Sequence, residues 1–381
     1  METLRIAFFC WESLYSVRVG GLAAAATNLA ESLAKNHEVH FFTLGLHGRE
    51  KDCDINGVYY HRCYPSGSNI VEYCKNMSLA MVDDYLKEEK KGEFDVLHFH
   101  DWHPTEALHI LQDRSTVLTI HSTEYGRNGN SFGDWWEFKD ISGKEWYASL
   151  IAKKITTVSN SLKDEVMWLY NVPEWKIKVT PNGIHPEKFY MEVDAGEVKK
   201  DYGIHPLAPV IFFMGRIVHQ KGPDLLLDAA PNILRNHWDA KFVFAGDGDM
   251  RPYLMEKASS FNGMVNYLGY LPDREFVRLL NASDLVVIPS RNEPFGLVLL
   301  EAWSAKKCVV ASNVGGLSEN IDNFENGVKV YTTPESIAWG VEYVMDSGCM
   351  EKMGRKGREK VEKIFKWENV AEQMVETYTE L

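Results

Sequence analysis

Short runs of β-branched and aromatic residues alternate with longer segments of helical periodicity along almost the whole chain. In the first half these runs predict strands at Leu4–Cys10, Val39–Leu44, Val96–His100, Val117–Ile120, Ile155–Val158 and Ile177–Thr180. In the second half they predict strands at Val210–Met214, Phe242–Ala245, Val265–Leu268, Leu285–Pro289 and Cys308–Ala311. This alternation is typical of parallel sheets whose strands are joined by right-handed crossover helices.

The segments between the predicted strands carry apolar residues at helical spacing. They predict helices at Leu22–Lys35, Ser161–Tyr170, Pro223–Arg235, Met250–Ser259, Asp273–Asn281 and Gly296–Ala305. The last segment, 366–381, has an apolar stripe that includes Trp367, Met374 and Tyr378, and such a helix can pack on either domain. Ligands of doubly wound sheets bind beyond the carboxyl ends of the strands, so the loops after the strands are the first places to search for a site.

The alternating pattern is interrupted near residues 185–208, where turn formers and charged residues replace it. A length of 381 residues is enough for two domains. We therefore expect an α/β protein of two doubly wound, Rossmann-like domains that face each other across a cleft. The predicted domains span residues 1–190 and 191–365, and the predicted C-terminal helix, 366–381, is able to cross back to the first of them.

The charge balance excludes some classes of partner. The chain has 41 Lys and Arg against 54 Asp and Glu, a net charge of −13, which argues against nucleic-acid binding over a broad surface.

No stretch reaches the roughly 20 apolar residues of a membrane span, and the first residues lack the features of a secretion signal. The six cysteines form no CxxC pair, so we expect reduced thiols in a cytoplasmic protein. The oligomeric state remains unknown from the sequence.

Two cations follow the first predicted strand of the second half. This strand runs into Gly215-Arg216 and, five residues later, Lys221-Gly222, before a helix begins at Pro223. Cations at a strand end in front of a helix N-terminus favour a pyrophosphate site, although Lys and Arg are more commonly solvated surface residues. In the first half, Gly20-Gly21 precedes a helix in the same way, either to approach an anion or as a tight turn. The chain has neither GxGxxG nor GxxxxGK[ST], which argues against NAD and P-loop nucleotide sites.

Two carboxylates lie eight positions apart in EPFGLVLLE, at Glu293 and Glu301. Glu293 lies in the loop after a predicted strand, and Glu301 lies about two turns into the following helix. A glutamate at the second position can accept hydrogen bonds from a ribose diol, or it can be an ordinary solvated helix residue. Gly296 allows the amides at the start of the helix to face an anion.

Taken together, these motifs resemble the retaining nucleotide-sugar glycosyltransferases of the GT-B fold, that is, family 4 and the related glycogen and starch synthases, and archaeal members in particular. The paired glutamates, the Arg216–Lys221 pair and the Gly20-Gly21 loop match family patterns. So do HDWH at 100–103, the histidine that follows it (His121) and PNGI at 181–184. One departure is Arg18, which stands where glycogen and starch synthases have lysine in Lys-x-Gly-Gly.

The resemblance implies transfer of a glucosyl or other hexosyl unit from ADP- or UDP-glucose to a sugar or α-glucan, with retention of anomeric configuration and with no metal or other cofactor. The implied catalytic residues are Arg216, Lys221, Glu293, His121 and Asp101. The implied donor-binding residues are Gly20, Gly21, Arg18, Gly215, Phe295, Gly296, Leu297 and Glu301. The implied acceptor-binding residues are Trp102, His103 and Glu124.

Several alternatives stay open at this point. A small-acceptor glucosyltransferase of the trehalose-synthase type, a nucleotide-sugar epimerase and a non-catalytic glucan-binding protein are all compatible with the predicted fold. The aromatic-rich segment 131–147 suits sugar stacking, internal packing or contact with a membrane surface. No set of metal ligands stands out, because His98, His100 and His103 follow one strand and its loop, and we interpret His98 as a core histidine.

Overall fold

The computed structural model describes residues 3–46 and 50–381, and the chain divides into two compact units. The first unit comprises Met1–Gly183 and Trp367–Leu381, and the second comprises Ile184–Lys366. The division falls before the predicted boundary at 190/191, because Ile184 already pairs with Lys366 in a β-bridge and donates its amide to the Phe365 carbonyl at 2.7 Å.

The described part of the first unit contains one eight-stranded sheet. Its strands are β1 (Arg5–Phe9), β2 (Glu38–Leu44), β3 (Asp52–Ile55), β4 (Val58–Cys63), β5 (Val96–His100), β6 (Thr116–Ile120), β7 (Lys154–Thr157) and β8 (Ile177–Val179). Their order is β3-β4-β2-β1-β5-β6-β7-β8, and every neighbouring pair is parallel except β3–β4. The chain order reverses between β1 and β5, which is the point where doubly wound sheets bind ligands.

Helices cover both faces of this sheet. They are α1 (Gly21–Leu33), α2 (Ile70–Glu89), α3 (Thr105–Ile110), α4 (Glu124–Arg127), α5 (Trp136–Ile151) and α6 (Asn160–Tyr170). Side chains cap the helices where the sequence supplies them: Asn69 accepts the Glu72 amide at the start of α2, and Ser159 accepts the Leu162 amide at the start of α6.

The described second unit contains a six-stranded sheet that is parallel throughout. Its strands are β9 (Val210–Met214), β10 (Lys241–Ala245), β11 (Val265–Gly269), β12 (Leu285–Ile288), β13 (Cys308–Ser312) and β14 (Val328–Val330). Their order is β11-β10-β9-β12-β13-β14, so the reversal here lies between β9 and β12. Strands buried on both faces explain the continuous apolar runs in the sequence.

Eight α-helices surround this second sheet over the described residues. They are α7 (Ala195–Asp201), α8 (Pro223–Asn236), α9 (Arg251–Ser259), α10 (Asp273–Ala282), α11 (Leu297–Ser304), α12 (Gly315–Asn320), α13 (Pro334–Asp346) and α14 (Met350–Ile364). The prediction of two parallel α/β sheets is confirmed. Across the described ranges, no helix has both the length and the apolar character that crossing a membrane requires.

The last helix, α15 (Trp367–Tyr378), packs in the first unit. Its apolar stripe joins the core formed by α1 and the strands, and Trp367 and Tyr378 are 2% and 4% exposed. The Tyr378 hydroxyl lies 2.7 Å from Nδ1 of His98 on β5. The other ring nitrogen of His98 lies 2.6 Å from Thr119 Oγ1, which agrees with its interpretation as a core histidine. The sequence left the partner of this helix undecided, and the structure assigns it to the first unit.

Among the elements that the hydrophobic pattern did not predict are the β3–β4 hairpin, the helices α2, α13 and α14, and the short edge strand β14. In β3 the burial alternates between exposed and half-buried positions, so its sequence, DCDI, carries little apolar signal. The aromatic-rich segment contains most of α5, whose mean hydropathy is modest because charged residues interleave with the aromatic ones. Residues 1–2 and 47–49 of the predicted first domain lie outside the described residues.

Candidate functional site

The loops after β9, β10, β12 and β13 pack tightly against one another in the second unit. Backbone hydrogen bonds join them, from the Ile217 amide to Asp247 O at 2.9 Å and from the Gly316 amide to Glu293 O at 2.9 Å. Gly222 and Gly315 adopt φ values of +66° and +47°, and a Cβ atom at either would overlap a backbone carbonyl of the neighbouring loop. Glycine is therefore required where these loops meet.

The structure brings Lys221 and Glu293 into direct contact at this edge. Lys221 Nζ lies 2.7 Å from Glu293 Oε2, and Ser290 Oγ donates to the same oxygen at 3.2 Å. Glu293 is 7% exposed, so its negative charge is held close to Lys221 in a largely desolvated position. Arg216 is exposed in the same loop and donates to Gln220 Oε1 at 3.0 Å. Two cations and one carboxylate thus share the carboxyl edge of this sheet.

The remaining donor-binding candidates of this unit lie on the same two loops. Gly215 directly follows β9 and donates its amide to Ala245 O at 3.0 Å. Gly296, with a φ of +98°, precedes α11, and Leu297 is its first residue. Glu301 follows one turn later, not the two turns predicted, because the helix begins only at Leu297. The Phe295 ring is buried and packs edge-on against Phe365 at 5.9 Å, so its side chain contributes to packing.

An ion pair that the sequence analysis did not anticipate joins these loops. Arg291 makes a two-pronged contact with the Asp224 carboxylate at 2.9 and 2.5 Å and donates to His219 O at 2.9 Å. Burial acts to raise the pKa of Asp224, but Arg291 outweighs it and holds that pKa below its ordinary value. The pair couples the Arg216–Lys221 loop to the Glu293 loop. No motif spacing links residues 224 and 291.

In the first unit, Asp101 and His121 follow the adjacent strands β5 and β6. Asp101 Oδ1 accepts the His121 amide at 2.7 Å, and Asp101 has a φ of +56°, a left-handed conformation that Asp tolerates better than most residues. Burial raises the pKa of Asp101 to about 6, although the positive charge of Arg127 opposes the shift. Burial lowers the pKa of His121 to about 4, and its Nε2 lies 3.0 Å from His100 Nδ1. His121 is therefore neutral near pH 7.

The raised pKa of Asp101 makes a testable contribution to stability. The unfolded chain loses this proton near pH 4 and the folded protein keeps it up to about pH 6, so the Asp101 contribution falls as the pH rises through that window. Asn cannot titrate and also accepts the left-handed backbone. Relative to wild type, Asp101→Asn should gain about 2–3 kcal/mol in free energy of unfolding between about pH 4 and 7. Urea unfolding at both pH values measures this, and an unchanging difference would contradict the raised pKa.

The three acceptor-binding candidates lie in the same two loops but have different surroundings. Trp102 is 4% exposed in a cluster with Cys74 and Ile141, so most of its ring is engaged in packing. The His103 ring is stacked between Trp102 at 4.3 Å and Trp11 at 4.4 Å. Burial lowers its pKa, and among the described atoms its buried Nδ1 has no hydrogen-bond partner.

Glu124, the third of them, begins α4 within a charged network. Its Oε2 accepts Arg127 Nε at 3.0 Å, and its amide donates to Glu145 Oε2 at 2.9 Å. Glu145 is 3% exposed and also accepts Arg127 Nη2 at 2.5 Å and the Tyr170 hydroxyl. Burial raises the pKa of Glu145 against the field of Arg127. The sequence analysis found Glu124 but missed Arg127 and Glu145, which hold the loop in place.

In the loop before α1, a backbone amide that was predicted to bind phosphate instead donates to a side-chain carboxylate. The sequence analysis assigned the amides of Gly20 and Gly21 to a phosphate, yet the Gly20 amide donates to Glu12 Oε2 at 3.2 Å and the Val19 amide donates to it at 2.7 Å. Glu12 is 3% exposed, and burial raises its pKa. Arg18 is exposed in this loop, and Gly21 is the first residue of α1. The Glu12 carboxylate, which the sequence analysis did not identify, therefore occupies one of the two predicted phosphate-binding amides, that of Gly20.

The aromatic-rich segment 131–147 serves packing only in part. Phe138 is 3% exposed, whereas Phe132 and Trp136 are 65% and 53% exposed. The interpretations as a sugar-stacking or membrane-facing surface stay open for its exposed rings.

Comparison with known proteins identifies the family of the chain. Residues 19–188 match the family described as Glycosyltransferase Family 4, and residues 194–360 match Glycosyl transferases group 1. The chain is similar to an uncharacterized glycosyltransferase of Methanocaldococcus jannaschii, with 38% identity over 98% of both proteins. It is 28% identical to a glycogen synthase of Mycobacterium tuberculosis, over 82% of this chain and 76% of that one.

Among solved structures, the catalytic domain of starch synthase IV from Arabidopsis thaliana, bound to ADP and acarbose, has a similar fold. Its TM-score is 0.79 at 17% identity, over 100% of this chain and 99% of that one. A relative that is 38% identical over almost the whole length shows membership of a family, and the two domain matches name it. The chain belongs to the GT-B glycosyltransferases of family 4.

Proposed function

We propose that the protein is a retaining hexosyltransferase that moves a glucosyl unit from ADP- or UDP-glucose to a sugar or α-glucan without a metal ion. The observation that carries the proposal is the Lys221–Glu293 contact of 2.7 Å beside Arg216 at the carboxyl edge of the second sheet. It supports the proposal because ligands of parallel α/β sheets bind beyond this edge, where a nucleotide diphosphate would need cations and its sugar a hydrogen-bond acceptor.

The proposed reaction breaks the bond between the sugar C1 and the diphosphate oxygen and forms a bond from C1 to an acceptor oxygen on the same face. Positive charge develops at C1, negative charge develops on the leaving diphosphate, and the acceptor proton passes to the leaving phosphate oxygen. Arg216 and Lys221 would stabilise the leaving group, with Arg as a fork and Lys as a point charge. The Gly20-Gly21 amides would do so only after Glu12 releases the Gly20 amide.

The other residues bind and orient in this proposal. Glu293 would accept hydrogen bonds from the donor hydroxyls while its contact with Lys221 holds the carboxylate in place. Neutral His121 and the largely buried Asp101 would contact the donor sugar and the acceptor. Gly215, Gly296 and Leu297 would present backbone to the nucleotide, and Glu301 would accept the ribose hydroxyls.

Glu301→Ala is expected mainly to raise KM for the donor and to leave kcat nearly unchanged. Ribose binding is similar in the ground and transition states, so its loss weakens binding uniformly. Initial rates over a range of donor concentrations separate the two constants, with the exposed Glu256→Ala as the control. A fall in kcat at constant KM would reject the ribose role.

The function as a whole is tested by incubating the protein with ADP- and UDP-glucose against small sugars and glucans, with and without a chelator, and by NMR of the product linkage. Transfer with a retained α-linkage, insensitive to the chelator, supports the proposal. Epimerised donor identifies an epimerase, and glucan binding without turnover identifies a non-catalytic protein.

A small-acceptor transferase is the second candidate. It is favoured by Arg18, which replaces the lysine of the polymer synthases in the loop before α1 and lacks the geometry of a point cation. Transfer to mono- or disaccharides with no extension of a glucan would establish it.

A further inference from the structure

Three potential metal ligands converge on the α2 face of the first sheet, away from the loops after β5 and β6. They are His40 on β2, His61 on β4 and Glu88 near the end of α2, and their ligand atoms lie within 4.8 Å of one another. The two histidines are 5% and 8% exposed, and Glu88 is half-buried. Their rings are nearly coplanar and meet edge to edge, with His40 Nδ1 2.9 Å from His61 Nε2.

The opposite nitrogen of each ring faces a carboxylate. His40 Nε2 lies 2.9 Å from Glu38 Oε1, and His61 Nδ1 lies 3.0 Å from Asp52 Oδ1. We call the nitrogen that faces the carboxylate the outer nitrogen and the one that faces the other histidine the inner nitrogen. In a neutral ring the carboxylate contact places the proton on the outer nitrogen, so the inner nitrogen keeps its lone pair. Two neutral rings would then direct lone pairs at each other across 2.9 Å. A cation between the two nitrogens, either a proton or a metal ion, would relieve this repulsion.

The third ligand favours a metal ion over a proton. Glu88 supplies an anionic oxygen, and carboxylates on the outer nitrogens of two histidines are the usual surroundings of zinc-bound imidazole. We propose that His40, His61 and Glu88 bind a divalent transition-metal ion of the zinc type, with one position left for water.

The geometry and the charges are compatible with this ion. Zn–N distances of 2.0–2.1 Å at a tetrahedral angle place the two nitrogens about 3.3 Å apart, so the rings need to separate by about 0.4 Å and to turn until both lone pairs point at the ion. Besides Glu88, two carboxylates (Glu38 and Asp52) and two cations face the site. Arg5 Nε pairs with Glu38 at 2.6 Å, and Lys91 Nζ pairs with Glu88 at 2.7 Å. Lys91 is largely exposed and can release one oxygen of Glu88 to the ion.

Such an ion would link β2, β4 and α2, elements joined here mainly by packing and by the strand pairing of β2 with β4. Its role is therefore to stabilise this side of the first unit, separately from the transfer reaction. Phe42 stacks on His61 at 4.7 Å and Phe94 packs edge-on against His40 at 5.1 Å, which limits the access of water.

The test uses the full chain, dialysed against a chelator and then titrated with Co²⁺ and competed with Zn²⁺. We expect one tetrahedral Co²⁺ per chain by absorption, its displacement by Zn²⁺, and a Zn²⁺-dependent rise in Tm. His61→Gln should abolish the tetrahedral spectrum. Asp52→Asn should weaken the affinity for Co²⁺ by about 10–100-fold, because Asp52 orients the His61 ring through its outer nitrogen, Nδ1. Asp52 is exposed, so this variant tests the site without disturbing the core.

His205→Gln serves as the control, because His205 is exposed in the second unit. Its affinity for Co²⁺ should equal that of wild type. The proposal is overturned if wild type shows no saturable tetrahedral spectrum, or if His61→Gln and Asp52→Asn bind as tightly as wild type. It is also overturned if acidification alone reproduces the stabilisation and Zn²⁺ adds nothing, because the rings then share a proton.

Discussion

Lys221→Ala is expected to lower turnover by about 10²-fold or more, the usual effect of removing a preorganised group that stabilises transition-state charge. In the proposed reaction, Lys221 neutralises negative charge on the leaving diphosphate. Its removal also takes from the Glu293 carboxylate the Lys221 Nζ contact at 2.7 Å, while the Ser290 hydroxyl still donates to it. Steady-state kinetics with the active donor and acceptor, alongside circular dichroism to verify folding, measures the effect.

Two further variants sharpen this prediction. Arg216→Ala should cause a loss of similar size, because both cations are assigned to the same leaving group. Lys257→Ala removes an exposed lysine of the same unit and should retain full activity. Full turnover in both the Lys221 and the Arg216 variants would contradict the assignment of these two cations to the leaving diphosphate.

Trp367→Ala is expected to reduce the free energy of unfolding of the first unit by about 3–5 kcal/mol. The Trp367 side chain is 2% exposed in the core that α15 shares with α1 and the strands, and truncation leaves a cavity there. Gly183 contacts the same ring so closely that a Cβ atom would overlap it. Chemical denaturation followed by far-UV circular dichroism and by tryptophan fluorescence measures the change.

A matched pair of substitutions on α15 separates packing from helix propensity. Met374→Ala, at a position 2% exposed, should cost about 2–5 kcal/mol. Glu372→Ala, exposed on the same helix, should change stability by less than about 0.5 kcal/mol. Equal effects for Met374 and Glu372 would mean that α15 does not pack as described.

The sequence determined the secondary structure of both sheets well because parallel strands are buried on both faces. β9 and β13, for example, are continuous apolar runs that the pattern locates within a residue or two. Elements with a mixed pattern escaped it, notably β3, which is half exposed, and α2, whose charged residues dilute its apolar stripe. The hydrophobic signal reports burial and is weak where burial is partial.

For the candidate site, the sequence by itself determined the residue types and their places at strand ends, such as Arg216, Lys221 and Glu293. Only the tertiary structure decided which of them touch, because Lys221 and Glu293 lie 72 positions apart and no spacing rule predicts their 2.7 Å contact. The same holds for Arg291 with Asp224 and for Glu12 with Gly20. It holds also for α15, whose apolar stripe suits any complementary core. Local sequence encodes which groups a segment offers, whereas contacts between distant segments depend on how the whole chain packs.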